Sequence, residues 1–308
     1  MSRYSHGLFV VFSRIKPVIF QKTLGSLKYR GGLVLQSGSR HFGGLSALLV
    51  GKDAKRLIAL GDWGRRFEAS MTYDAKGNLS GLYDASLVRM TDTDGDFLSG
   101  KSSSDAESLA WDNNGGVIAA FEREHRLLRY EAGRVKAEII PPPPEIFLAP
   151  RNGGIESLTR LNDGRLVAIS EALQTKGGVF GWIKAEKGWS RFIYETDGPF
   201  APKGAATLPG GDVLVLERFY ANKDHQGVKI MRLGPSAFVP GAIIKGTPVA
   251  SLRPPLSIDN FEGIAVAKGK RGETLIYLIS DDNFSPNQRT LLMMFELIGK
   301  PPSGRKAF

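Results

Sequence analysis

Residues Gly153 to Ala172 read GGIESLTRLNDGRLVAISEA. Two short β-prone runs flank the turn Asn162-Asp163-Gly164, and the second run ends on a carboxylate, Glu171. That is the pattern of a β-hairpin. The phrase recurs as DAESLAWDNNGGVIAAFERE from Asp105, PKGAATLPGGDVLVLERF from Pro202, NFEGIAVAKGKRGETLIYLISDD from Asn260 and, more weakly, FGGLSALLVGKDAKRLIALGDWG from Phe42. Further alternating segments follow the copies, such as HRLLRYEAG and RVKAEII, or VFGWIKAEKG and WSRFIYET. One unit is therefore about four antiparallel strands, and units recur about every fifty residues, the period of propeller blades. Such units stack radially because one blade cannot bury both of its faces alone.

The sequence thus predicts an all-β propeller of four-stranded antiparallel blades, with five repeats visible; six would need a degenerate blade that the sequence does not display. The last copy lacks an outer strand after Thr290–Leu297, and LKYRGGLVLQ (Leu27 to Gln36) is unassigned. We expect that N-terminal strand to seal the ring and remove its exposed edge. The chain divides into a leader-like segment, residues 1–22, and the propeller, residues 23–308.

Composition agrees. Thirty-seven glycines and seventeen prolines spread along 308 residues suit many short strands joined by tight turns. The absence of cysteine excludes thiol nucleophiles, disulfides and zinc–thiolate sites. The net charge of +10 is scattered, without a basic run, so nucleic acid is not the expected partner. No apolar stretch has the length of a membrane span. The N-terminus carries Arg3 and a short apolar run, Gly7 to Phe12, without a small-residue cleavage site. Read as an incomplete signal peptide, it implies a periplasmic or exported protein, with a cytoplasmic location left open.

The string Gly95 to Ser102 has the letters of a phosphate-binding P-loop, G-x-x-x-x-G-K-S. Its context argues against a nucleotide: the preceding VRMTDTD is polar, and Asp92, Asp94 and Asp96 would repel phosphates. The D-x-D-G-D spelling departs from an EF-hand loop, with Ser103 at the twelfth position, and is read as turn chemistry. The stretch is expected to be a surface connection between the first two blades, its lysine fortuitous.

The second strand of every copy is read as ending in an acid: Asp62, Glu122, Glu171, Glu217 and Asp281. With 31 acids among 308 residues, five of five at one column exceeds chance by orders of magnitude. Three copies also carry an acid early in the first strand, Glu107, Glu156 and Glu262, where the other two show Gly44 and Lys203-Gly204. In an antiparallel hairpin these two positions share one end, so both columns should crowd one mouth of the channel. One reading makes the acids caps for backbone N–H groups at blade joints. The other makes them a pocket, where clustered carboxylates hold a hard cation such as Ca²⁺ or keep raised pKa values for acid–base work.

In that pocket Glu156, Glu171, Glu122, Glu217 and Asp281 are the catalytic candidates. Glu107, Glu156, Glu262 and Asp62 are the metal candidates. Arg123, Arg218, Arg65 and Asn283 are placed to bind an anionic substrate.

The phrases FGGLSAL, DAESLAW, NGGIESLTRLNDGRLVAISE, FEGIAV and ISDDNFSPNQRTLLMMFEL resemble the bacterial phytase-like family, described by an esterase-like activity of phytase. The resemblance runs over nearly all of the chain after about Leu24. It implies a propeller that hydrolyses esters or phosphoesters, commonly exported, with family acids falling on Glu107, Glu156, Glu171, Glu262, Asp281 and Asp282. If the protein is an enzyme, the expectation is an ester or phosphoric-monoester hydrolase acting on a small anionic substrate. A calcium-dependent lactonase and a non-catalytic propeller that binds a protein, peptide or glycan are the alternatives.

Overall fold

The computed structural model describes residues 10–15, 23–132, 134, 136–222, 224–256 and 258–299. Their strands form five sheets. Blade 1 contains Leu45–Val50, Arg56–Gly61, Arg65–Tyr73 and Leu79–Arg89. Blade 2 contains Ala106–Trp111, Val117–Phe121, Arg126–Tyr130 and Glu138–Ile140. Blade 3 contains Ile155–Arg160, Leu166–Thr175, Gly178–Ala185 and Gly188–Glu195, with Ile243–Lys245 added in parallel at its rim. Blade 4 contains Ala201–Thr207, Val213–Asn222, His225–Leu233 and Thr247–Leu252. Blade 5 joins Asn260–Lys268, Thr274–Asp281 and Thr290–Leu297 to the N-terminal strand Leu27–Ser37.

The ring closes at five. The inner strand of blade 5 packs on that of blade 1, as each inner strand packs on the next. Leu27–Ser37 pairs antiparallel with Thr290–Leu297, from Leu35 opposite Thr290 to Leu27 opposite Leu297. Arg30, in that closing strand, ion-pairs with Glu296 and donates to Asn78 Oδ1 and to the carbonyls of Lys76 and Gly77, fastening the seam to blade 1. Val10–Arg14, within the segment read as leader-like, pairs with the outer edge of the same strand, Val10 opposite Ser37.

Hydrophobic burial follows the seams. Each of the five apolar clusters lies between two successive blades: blades 1 and 2, 2 and 3, 3 and 4, 4 and 5, and 5 and 1. A blade is apolar on both faces because a neighbour covers each, and this is why its strands read as continuous Val, Leu and Ile runs. The polar positions are then forced to the strand ends, where a mouth can form.

The first blade connection is not idle. Asp92 Oδ1 accepts the N–H groups of Asp94, Gly95 and Asp96 at 2.9, 3.0 and 2.9 Å. The turn reading of this D-x-D-G-D stretch holds, because the amides a P-loop would offer to phosphate are turned on its own carboxylate. Its lysine, however, is not fortuitous: the short helical turn Lys101–Ser104 brings Lys101 to the channel mouth.

Candidate functional site

The mouth is built by a repeated irregularity. In every blade the pairing of the two inner strands shifts by one residue near its start, between Leu45 and Ala47, Ala106 and Ser108, Ile155 and Ser157, Pro202 and Gly204, and Phe261 and Gly263. A β-bulge leaves one unpaired residue and re-aims its side chain. The five bulged residues are Ser46, Glu107, Glu156, Lys203 and Glu262. The member of blade 1 is therefore Ser46, not the Gly44 that the sequence alignment places there; a bulge shifts register by one residue and letters cannot reveal it.

The same register corrects the second column. Gly61, Phe121 and Ser170 pair with Leu45, Ala106 and Ile155, whereas in blade 4 it is Glu217 that pairs with the corresponding Pro202. The residues that follow, at the mouth, are Asp62, Glu122, Glu171, Arg218 and Asp281. Glu217 is one position early. It lies fully buried, accepting a hydrogen bond from Tyr194 at 2.7 Å, and its charged neighbours are Lys229 and Asp197. It does not join the cluster proposed for it. Blade 4 thus supplies two cations, Lys203 and Arg218, where its siblings supply acids.

Those cations divide the mouth. On one side the Lys203 ammonium, 8% exposed, lies 2.7 Å from Glu156 and 2.6 Å from Glu171, with Glu262 at 3.9 Å. Arg218 sits 3.3 Å from Glu262. Burial pushes Glu171 up, but Lys203, a hydrogen bond from Glu156 and the charge of Arg218 together hold that carboxyl below its usual range. Glu156 is raised by burial despite the lysine. Glu156 and Glu262, expected as metal ligands, already face a fixed, buried cation.

On the other side, one carboxylate oxygen each from Asp62, Asp105 and Glu107 lies within 4.8 Å of the others. Glu107 is 8% exposed and, among the described residues, receives no hydrogen bond; burial raises it well above the carboxylate range, and Glu156, Glu262, Asp62 and Glu122 add to the effect. Asp105 is wholly buried, with Oδ2 2.5 Å from Arg123 Nε and Oδ1 lacking a hydrogen-bond partner. Asp62 accepts from Ser46 Oγ at 3.2 Å, and Lys101 Nζ bridges Asp62 at 3.1 Å and Asp105 at 3.7 Å. Unlike the buried Lys203, Lys101 is 41% exposed on its side chain, a counter-ion on the solvent side of the set. Asp105, Lys101, Ser46 and Lys203 are the members that sequence reasoning missed. Asp105 precedes its strand, outside both columns, and only the fold brings Lys101 in.

Other acids clasp seams. Glu122 Oε2 accepts the Gly153 N–H at 3.0 Å, joining blade 2 to blade 3, and burial with help from Asp105 pushes it up to about 7. Asp282 accepts from Gly44 N–H at 2.9 Å, Phe284 N–H at 3.0 Å and Thr290 Oγ1 at 2.9 Å, joining blade 5 to blade 1. This is why the sequence carries Gly43 and Gly44: both have positive φ, and a Cβ on Gly43 would stand 2.8 Å from Asp282 Oδ1. Asp281, pushed up to about 8 by burial, then by Glu262 and Asp62, accepts from Asn283 N–H at 2.7 Å and from Asn260. Arg123 is committed to Asp105. Asn283 is exposed and Arg65 is half-buried, at the rim of blade 1.

Beside Asp62 opens a cleft of about 390 Å³ lined by Arg40, His41, Asp62, Trp63, Lys101, Asn283 and Phe284. A hollow of this size takes a small molecule.

With this geometry in place, a family model described as Phytase-like, esterase-like activity of phytase, matches residues 40–284. Among curated proteins none matches the chain. Solved structures with similar chains include a protein of unknown function from Dyadobacter fermentans, 11% identical over 94% of this chain and 92% of that one, with a TM-score of 0.48. A catalytically inactive virginiamycin B lyase from Staphylococcus aureus is 11% identical over 94% and 100%, TM-score 0.45. A structure titled as a putative gluconolactonase is 13% identical over 95% and 96%, TM-score 0.37.

Proposed function

We propose, from the premise that the chain belongs to the phytase-like family, that it is a hydrolase of phosphate or carboxylic esters that works with a divalent cation, Ca²⁺ by preference, at the channel mouth. The observation that carries the reading is two buried carboxylates short of donors: Glu107, which accepts no hydrogen bond among the described residues and is crowded by four other acids, and Asp105, whose Oδ1 has no hydrogen-bond partner although Oδ2 accepts from Arg123. Buried charges demand a partner or a proton. Three carboxylate oxygens within 4.8 Å of one another suit a hard cation with oxygen ligands.

Asp62, Asp105 and Glu107 would hold the metal. Bound there, it would polarise the ester oxygen and acidify a water. Lys203, with Arg218 on Glu262, holds Glu156, Glu171 and Glu262 in ion pairs, so that half of the mouth competes less for the cation. Glu122, beside Asp105, and Asp281, beside Asp62, flank the set and are the carboxyls assigned to move protons. Glu156 and Glu171 act in this reading by fixing Lys203, and Glu217 takes no part.

One feature favours a binding module instead: the lysine-filled side of the mouth is the ion-paired arrangement expected of a mouth without catalysis. The two readings separate in one assay. Purified protein is tested against phytate, aryl phosphates, short acyl esters and lactones with Ca²⁺ or with EDTA. Calcium-stimulated turnover that EDTA abolishes supports the hydrolase; background rates on every substrate refute it, and opening of lactones alone reassigns the substrate.

Export belongs to the same proposal, supported by the apolar run Gly7–Phe12 behind Arg3. Because Val10–Arg14 pairs into blade 5, cleavage after residue 14 would strip that edge. Mass spectrometry of the N-terminus from periplasmic and cytoplasmic fractions tests it.

A further inference from the structure

Most arginines of this chain face a carboxylate. In blade 1, Arg56 pairs with Glu68 and Asp84, and Arg66 with Glu68, while Asp62 is taken by Lys101. Three others at the rim of that blade, Arg40, Arg65 and Arg89, have no ion-pair partner among the described residues. Arg65 and Arg89 stand directly opposite each other on adjacent strands, a like-charge arrangement that destabilises a sheet. Arg89 lies flat on Phe97, 4.0 Å from the ring centre. Arg40 lines the cleft beside His41, and Arg65 and Arg89, which do not line it, lie within electrostatic reach of that histidine.

The opposite wall is apolar and displayed. Trp63 is 48% exposed and Phe284 40%. Asn283 and Phe284 both adopt left-handed backbone, φ 47° and 51°, a conformation that costs non-glycine residues energy and persists only when surroundings impose it. Here the carboxylates of Asp281 and Asp282 impose it by accepting the two N–H groups. The ring of Phe284 lines the cleft and lies against Gly44, where an added Cβ would stand 2.5 Å from it.

We propose that this cleft is a binding subsite for a tetrahedral oxyanion carried on a flat apolar body, its charge neutralised by Arg40, Arg65 and Arg89 and its body lying between Trp63 and Phe284. Multiply charged oxyanions suit several guanidinium forks, and the planar side chains suit an aryl group. Asp62, shared by the cleft and the carboxylate cluster, places the far end of such a ligand beside Glu107. Calling the ligand a substrate rests on the hydrolase reading; its binding does not.

The test is calorimetric titration in EDTA and low salt, so that calcium-dependent turnover plays no part, with phenyl phosphate, phenyl sulfate and inorganic phosphate as probes. Wild-type protein is expected to bind an aryl oxyanion. Arg65→Gln and Arg89→Gln should each weaken it about tenfold, and Trp63→Ala should weaken phenyl phosphate more than inorganic phosphate. Arg232→Gln, in the outer part of blade 4 where that arginine pairs with Asp212, should leave it unchanged. Preference for phenyl phosphate or for phenyl sulfate supports the subsite in either case and names the ester class. Binding insensitive to the rim arginines, binding lost with Arg232→Gln, or no binding of any probe overturns the inference. A protein that fails here yet hydrolyses esters with calcium keeps the hydrolase reading and loses only this subsite.

Discussion

Lys203→Met removes the cation from the closed half of the mouth while keeping much of its volume. The ammonium lies 2.7 and 2.6 Å from Glu156 and Glu171 and 3.9 Å from Glu262. Leaving buried charges without their partner costs about 3–5 kcal/mol, or about 6–10 °C in Tm for a chain of this size. The loss must depend on pH. In the wild type Glu171 is held below its usual range, so its stabilising contribution is full above the ordinary carboxylate pKa and fades as pH falls through the lowered value. In the variant, burial without the lysine raises Glu156 and Glu171, so stability falls as pH rises through and above the ordinary value. The two proteins should therefore differ by the full amount near pH 8 and by less near pH 4, converging as the pH falls below the lowered value of Glu171. Urea unfolding at both pH values measures this, and adding Glu156→Gln to Lys203→Met should recover part of the loss at pH 8. An equal loss at both pH values, or a loss under about 1 kcal/mol at pH 8, would refute the assignment of Lys203 as the internal counter-ion.

Three further outcomes follow from the same geometry. Glu217 is pushed up to about 7 by burial, although Tyr194 donates to it; its folded form keeps a proton that the unfolded form has lost, so it costs stability as pH rises from about 4.5 to 7, by up to about 3 kcal/mol. Glu217→Gln should thus stabilise the protein at pH 8, leave it unchanged at pH 4 and not alter calcium affinity. Lys101→Met removes the exposed counter-ion from Asp62 and Asp105 and should tighten calcium binding about five- to tenfold by titration, a change within the range of one lost charge contact. Asp282→Ala strands the donors of Gly44, Phe284 and Thr290 and should cost about 2–3 kcal/mol in urea unfolding.

The architecture was legible because it is periodic. GGIESLTRLNDGRLVAISEA and its siblings carry turn letters between apolar runs, and a period that five copies share exposes the blade. Closure by Leu27–Ser37 was legible for a negative reason: blade 5 had one strand too few. The site was legible only to within one residue. Glu217 and Arg218 are adjacent letters, and which of them meets the mouth is set by pairing with Pro202 and the bulge at Lys203. Lys203 could be seen at its position but not as a cation that three acids surround, because Glu156, Glu171 and Glu262 come from other blades. Lys101 was hidden because it lies in a connection, where no repeat aligns it, and Asp105 because the copies that align with it carry Gly154 and Asn260 at its position, so no acidic column marks it.

The central claim is that the mouth is divided, with Glu107, Asp62 and Asp105 able to take a cation and Glu156 and Glu262 already served by Lys203. Calcium titration of wild type, Glu107→Gln and Glu156→Gln, followed by calorimetry and by the rise in Tm, tests it directly. The account predicts binding that Glu107→Gln abolishes and Glu156→Gln leaves within about threefold, with saturating calcium, about a hundred times Kd, adding about 2.7 kcal/mol to wild-type stability. Calcium affinity that survives Glu107→Gln, or disappears with Glu156→Gln, contradicts it.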